Sequence, residues 1–170
     1  MGRDVRIRDA TEADAAAMCS LYNALIDTTT VAWTDEHETL EARLAWLAKQ
    51  QRAGNPVLVA EVKDDVVGFA TYGEVRDSGK WPGYRFTVEN TILVDREHHG
   101  MGIGSGLREA LMARAVAAGK HVMVAGIDAE NVGSIRFHER LGFVEAARVH
   151  EVGFKFDRWL DLVLMQRTLG

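Results

Sequence analysis

The stretch Glu97–Gly119, "EHHGMGIGSGLREALMARAVAAG", sets Gly100, Gly102, Gly104 and Gly106 at alternate positions and then runs into an amphipathic segment. Glycines at this density cost chain entropy, so the backbone must have a use for them. A row of main-chain N–H groups at the start of a helix is an anion site, made jointly by unpaired amides and the helix dipole. Without Cβ atoms a bulky diphosphate can approach that backbone. Two other glycine loops fail on residue type. A phosphate-cradling P-loop needs a lysine after Gly104, where Ser105 and Gly106 stand. The dinucleotide fingerprint needs glycines at i, i+2 and i+5, and the third position is Ser105, Leu107 or Glu109 in the three registers. With no lysine to neutralise a terminal phosphate, an internal diphosphate is the better ligand. The plain alternative is a tight strand-to-helix turn.

Upstream, Glu89 sits mid-way along "FTVENTILV", on the opposite face of a strand from Val88, Ile92 and Val94. It is either a base in a cleft or a carboxylate on a solvated face. A free Glu, with a pKa of about 4.3, is a poor match to an ammonium, so a base here would need burial or a relay water. Downstream, His138 lies on a short helix after Asn131. The histidines form no metal site: His98 and His99 are adjacent and diverge, and the chain has no His-x-x-x-His or Cys pair. Cys19, in "AAAMCSLYNALI", reads as a small core residue.

The elements that must position these groups follow from periodicity and punctuation. "VRIR" is a first strand. Thr11 and Asp14 resemble a capping box opening a helix through about Ile26. "DTTTVAWT" is a loop, and a second helix carries Leu40, Leu44 and Leu47 to near Gly54. "VLVAEV" and "VVGFATYGEV" are strands about the turn "KDD", and "RDSGKWPGYR" is an exposed loop. After "FTVENTILV" and the glycine helix, "HVMVAGI" reads as a buried central strand. A helix "VGSIRFHERL" and strands "FVEAARV" and "WLDLVLMQRTL" complete the chain. The order β-α-α-β-β-β-α-β-α-β-β predicts an α/β (α+β mixed) fold, a mixed sheet with helices on both faces and a parallel crossover through the glycine helix.

The 170 residues predict a single domain over 1–170, large enough for a real core. Hydrophobic residues at 47% with 26% charged fit a soluble globular protein. A net charge of −5 argues against a nucleic-acid partner, and no apolar run approaches a membrane span. "MGRDVRIRDA" has no apolar signal-peptide region, and Arg6 stands where a myristoylation signal wants Ser or Thr. One cysteine allows no internal disulfide, which fits a cytoplasmic location.

"HHGMGIG" resembles the Arg/Gln-x-x-Gly-x-Gly/Ala signature of the GNAT N-acetyltransferases, with His99 in place of the Arg or Gln. "NVGSIRFHERLGF" is similar to that family's Asn-x-x-Ala/Ser-x-x-Phe/Leu-Tyr-x-x-x-Gly-Phe, with Asn131, Ser134, Gly142 and Phe143 in register. "YRFTVENTILV", "GKHVMVAGIDAENVGSIRFH" and "VGFKFDRWLDLVLMQ" extend the resemblance to the phosphinothricin and methionine sulfoximine (or sulfone) N-acetyltransferases over nearly the whole chain. "RDSGKWPGYR" departs from them, being longer than in the sulfoximine enzymes.

The resemblance implies the GNAT fold, acetyl-CoA as acyl donor, no metal, a small amino-acid-like substrate and a homodimer. It implies that His99, Gly100, Met101, Gly102, Ile103, Gly104 and Ser105 hold the diphosphate. Ile92, Leu93 and Val94 would bond the pantetheine arm through the main chain, with Asn131 and Ser134 beside it. Asn131 can equally be the N-cap of its own helix. "TVE" matches the family's general base at Glu89, with Asn90 and Thr91 beside it on the acceptor side. His138 stands where the family often has Tyr, and could protonate the leaving thiolate or merely hydrogen-bond the thioester sulfur. Arg76 and Arg85 flank the variable loop, and a bidentate guanidinium suits a carboxylate or phosphinate. Trp33 and Trp81 read as packing residues, and Trp159 as the site's rim or the dimer contact. Another small amine, a protein N-terminus, or a non-catalytic acyl-CoA sensor are the competing functions.

Overall fold

The computed structural model describes residues 5–170; the start-segment reading on residues 1–4 lies outside them. The elements are β1 (Val5–Asp9), α1 (Ala15–Ile26), α2 (Leu40–Arg52), β2 (Val57–Val62), β3 (Asp65–Glu74), β4 (Thr87–Val94), α3 (Ile103–Ala117), β5 (Val122–Asp128), α4 (Val132–Arg140), β6 (Val144–Lys155) and β7 (Arg158–Thr168). Their order is the one the sequence predicts. Thr11 does open the first helical stretch, its N–H donating to the Asp14 carboxylate at 2.7 Å, but through a 3₁₀ turn at Glu12–Asp14 that precedes α1.

The strands form one sheet in the order β1-β2-β3-β4-β5-β7-β6. Only β4 and β5 pair in parallel, joined by the crossover through α3. Alternation along β2 shows how the two layers are built. Leu58, Ala60 and Val62 face α3, which buries Leu107, Leu111 and Ala115 as a stripe at i, i+4, i+8. Val57 and Val59 face α1 and α2, meeting Met18 and Leu47. Phe143, just beyond α4, joins the α3 side.

The sequence reading ended the strand "FVEAARV" too early. β6 continues to Lys155 because its register slips between Val149 and Gly153, with Glu151 at a φ of 52°. A two-residue turn, Phe156–Asp157 with φ of 52° and 57°, then returns the chain into β7.

Candidate active site

The parallel pairing of β4 with β5 lasts only three positions, Thr87↔Val122, Val88↔Met123 and Glu89↔Val124. On its other edge β4 stays paired with β3 as far as Val94↔Gly68. β5 likewise stays paired with β7 as far as Asp128↔Leu162. Each strand is held by its outer neighbour while the two part from each other, so a wedge opens between them beyond Glu89. The main-chain groups that β4 turns into this wedge have no strand partner, and a ligand's amides can complete the ladder there.

Glu89 stands at the apex. It is exposed at the floor of the wedge, yet burial of the carboxyl by its surroundings pushes its pKa above the ordinary carboxylate value. Its carboxylate lies over Gly126 of β5: a Cβ built on that glycine would come 3.0 Å from Glu89 Oε1. Thr91 is exposed on the same strand face. Asn90, grouped with them from sequence, faces the opposite way. It is 8% exposed, and its Nδ2 has no hydrogen-bond partner. Ile92 and Val94 pack toward the α3 core and Leu93 toward the α1–α2 core, so these three can offer a ligand only their main chain.

Past β4 the glycines divide into two kinds. Gly100 and Gly102 have φ of 78° and 79°, with open space where a Cβ would stand. They bend the backbone through the left-handed region that other residues avoid. Gly104 and Gly106 lie inside α3 and are small for packing. A Cβ on Gly104 would meet the Phe137 ring at 3.4 Å, and one on Gly106 would meet Ile7 Cδ1 at 3.0 Å. The first intrahelical bond runs from Gly106 N–H to Gly102 O at 3.0 Å, so the amides of Ile103, Gly104 and Ser105 precede the helical ladder. Met101 is exposed between the two left-handed glycines. His99 donates from Nε2 to Val94 O at 2.9 Å and so ties this loop to the end of β4. The amide row and its open approach suit a diphosphate.

Asn131 is the N-cap of α4: its Oδ1 accepts from Ser134 N–H at 3.1 Å, leaving the amide NH₂ as a donor end. His138 is not on the surface. It is 6% exposed, lying edge-to-face with Phe137 and Phe143. Its Nδ1–H donates to Ser134 O at 2.7 Å, and its Nε2 accepts from Arg108 Nη2 at 3.0 Å. Burial, and secondarily the neighbouring Arg108, lower its pKa to about 4. At neutral pH the imidazole therefore carries one proton, already committed to a carbonyl. With both ring nitrogens engaged, the imidazole has no free N–H for either role the resemblance left open, a proton for the thiolate or a hydrogen bond to the thioester sulfur. Arg108 itself is fully buried between the rings of Phe137 and Phe143, with Nε and Nη1 unpartnered, and burial lowers its pKa to about 10.

Arg76 and Arg85 are exposed on the loop between β3 and β4, whose ends flank the apex. Arg76 lies over the rings of Tyr84 at 5.4 Å and Trp81 at 6.0 Å. Arg85 lies over Phe86 at 4.2 Å and donates from Nη1 to Pro82 O at 2.7 Å. Trp159, on the β6–β7 hairpin, is exposed and packs edge-to-face against Phe154 at 5.0 Å.

Sequence reasoning missed several residues around the wedge. Gly126 had a readable signal, since a glycine inside an apolar strand marks a close approach. Asp128 and Thr30, joined by a hydrogen bond from the Thr30 hydroxyl, had none. Nor did Lys155 or Arg108, whose burial depends on long-range packing. Among the described residues no group of His, Cys, Asp and Glu is arranged to hold a metal, and no helix is long and apolar enough to cross a membrane.

Comparison with known proteins matches this architecture. An L-methionine sulfoximine/L-methionine sulfone acetyltransferase of Salmonella typhimurium is 44% identical over 96% of this chain and 94% of its own. A phosphinothricin N-acetyltransferase of Streptomyces viridochromogenes is 36% identical over 97% of this chain and 88% of its own. A Salmonella typhimurium acetyltransferase solved with its cofactor acetyl-CoA superimposes with a TM-score of 0.93 at 43% identity, covering 98% of this chain and 94% of that one. The family model for the acetyltransferase (GNAT) family matches residues 18–143, the span that contains the wedge, the glycine loop and α4, and the chain belongs to that family.

Proposed function

We propose that the protein transfers the acetyl group of acetyl-CoA to the α-amino group of a small amino acid, or of its sulfoximine, sulfone or phosphinic analogue. The observation that carries this reading is the carboxylate at the apex of an open strand wedge whose far end leads to an amide-rich anion loop. Relatives that act on methionine sulfoximine, its sulfone and phosphinothricin support the acceptor class.

The amides of Ile103, Gly104 and Ser105 take the diphosphate, and the left-handed glycines keep its approach open. The pantetheine arm adds as a partial strand along the free edge of Ile92–Val94, with the Asn131 amide as a further donor. This brings the thioester carbonyl to the apex, where a β4 main-chain N–H faces the developing oxyanion. The acceptor enters as an ammonium and loses a proton to Glu89, directly or through a water. The neutral nitrogen then attacks the carbonyl carbon, the C–N bond forms and the C–S bond breaks. The departing sulfur takes the second proton from the same nitrogen. Glu89 returns its proton to solvent, so acetyl-CoA and R–NH₃⁺ give the amide, the free thiol and one H⁺. The raised pKa of Glu89 narrows the gap to the amine and makes it a better base than a solvated carboxylate.

The apolar side chains Val149, Val152, Phe154, Phe156 and Trp159 lie exposed on the hairpin at the sheet's open edge. They support a homodimer formed through that edge, checked by sedimentation. The acyl donor and the free Cys19 support a cytoplasmic location.

The test is thiol release from acetyl-CoA across amino acids, the three analogues, polyamines and peptides. Turnover confined to α-amino acids and analogues supports the reading, and turnover with no amine overturns it in favour of an acyl-CoA binder. Glu89→Gln should lower kcat by roughly 10²-fold or more, with the deficit shrinking at high pH, where the amine is already neutral.

A further inference from the structure

The acceptor side of the wedge is completed by a segment that belongs to neither strand. The connection between α1 and α2 has no helix or strand of its own, yet it is fixed at three points. Lys155, the last residue of β6, is 2% exposed, and its Nζ donates to the carbonyls of Ile26 at 2.6 Å, Thr29 at 2.8 Å and Ala32 at 2.8 Å. Three N–H donors meet three carbonyls, at the negative end of α1. The second point is Trp33, whose indole lies against the backbone of Gly153, where any Cβ would overlap it. Gly153 sits where the β6 register slips, and its lack of a side chain makes room for the ring. The third point is Thr30, whose hydroxyl donates to the Asp128 carboxylate. Asp128 is 5% exposed at the open end of β5, two residues beyond Gly126 and on the same strand face.

The segment thus spans from the far edge of the sheet to the mouth of the wedge, over the face that carries the Glu89 carboxylate. We infer that Lys155 is a positioning residue for the acceptor: it fixes residues 26–33, and through Thr30 and Asp128 it fixes the wall against which the amine-bearing substrate rests. The inference depends on the reaction proposed above, because the wall matters only if the amine reaches Glu89 from this face. The first turn of α3, whose amides follow the glycine loop, packs on the opposite face of the sheet, Gly104 and Gly106 meeting Phe137 and Ile7, so cofactor binding stays outside the effect.

The test is steady-state kinetics on the full chain with methionine sulfone and acetyl-CoA varied separately, for Lys155→Met and Thr30→Val. Both should raise the KM for the sulfone by roughly ten-fold, the scale of one lost hydrogen bond to a charged group, and leave the KM for acetyl-CoA within about two-fold. A role confined to stability would lower the melting temperature and the active fraction without separating the two KM values. Unchanged sulfone KM in both variants, or an equal rise in both constants, overturns the inference. If Lys155→Met does not fold, Thr30→Val decides, since it removes a single hydroxyl at nearly constant shape. Glu89→Gln keeps the two ideas apart. Wild-type rates in that variant would sink the reaction geometry itself. A collapse there, with normal sulfone KM in the other two, would sink only the role of Lys155.

Discussion

Glu89 pairs with Val124 at the last parallel position of β4 and β5, and its carboxylate reaches over Gly126, two residues further along β5, into the space that a side chain there would enter. A Cβ there would stand 3.0 Å from Oε1 and 3.4 Å from Leu162 Cδ1. The nearer neighbour is the free end of a flexible side chain, so the strand tolerates an alanine and the carboxylate moves instead. Gly126→Ala should therefore fold normally, keep its acetyl-CoA KM and lose kcat, because a base displaced by a fraction of an ångström no longer meets its proton in line. Gly126→Val should lose more. Melting curves and initial rates on the two variants check this, and an alanine variant with wild-type kcat would show that the carboxylate works from another position.

The buried pair of His138 and Arg108 makes a separate prediction about acid stability. The unfolded chain protonates this histidine near its ordinary value of about 6.5, whereas the native imidazole resists until about 4. Between those limits the unfolded state binds more protons, so stability falls as the pH drops through the window, by up to about 1.4 kcal/mol per pH unit. His138→Gln keeps an acceptor for Arg108 but does not titrate, and should flatten the curve there. His138→Phe leaves the buried guanidinium unpartnered and should be less stable than wild type at pH 7, by roughly 1–3 kcal/mol, a deficit that shrinks toward pH 4 because the variant has no imidazole to protonate. Asp14, held at about 2 by its bond to Arg8, loses its contribution only at lower pH. Urea melts across pH 4 to 7 on the three proteins are the measurement, and identical slopes in wild type and His138→Gln would refute the assignment.

Local signals carried the element order and the glycine loop. The period of two in "FTVENTILV" put Glu89 opposite Val88, as found. The same signals could not say which glycine does what. Gly100 and Gly102 bend the chain through positive φ, whereas Gly104 and Gly106 make room for Phe137 and Ile7, partners distant in sequence. His138 shows the other limit. Its place on a short helix says nothing of burial, which comes from the packing of Arg108 and Phe143 around it. The strand wedge was invisible for a related reason. It arises because β3 and β7 each pull a central strand outward, a property of pairing registers rather than of either strand's residues. Lys155, which falls between the two strands read from the sequence, is buried through carbonyls more than 120 positions earlier in the chain.

The variable loop offers two arginines for an acceptor's carboxylate, and their surroundings rank them. Arg85 already donates to Pro82 O and lies over Phe86. To clamp a substrate it would have to give up the Pro82 bond, worth about 0.5–1.5 kcal/mol. Among the described residues Arg76 makes no hydrogen bond; its guanidinium lies over Tyr84 and Trp81 with its N–H edge uncommitted. A charged hydrogen-bond pair contributes ~1.5–3 kcal/mol. Arg76→Ala should then raise the acceptor KM by roughly ten-fold to a hundred-fold, and Arg85→Ala by less, at about ten-fold or below. Neither should alter acetyl-CoA binding, since the anion loop lies beyond the opposite end of β4. Arg76→Lys should recover only part of the loss, because a point charge replaces a planar fork. Changing the acceptor's carboxylate to an amide in the wild type should reproduce most of the Arg76→Ala penalty and add little in that variant. If acid and amide are equally good substrates, neither arginine reads the carboxylate, and the acceptor is an amine of another kind.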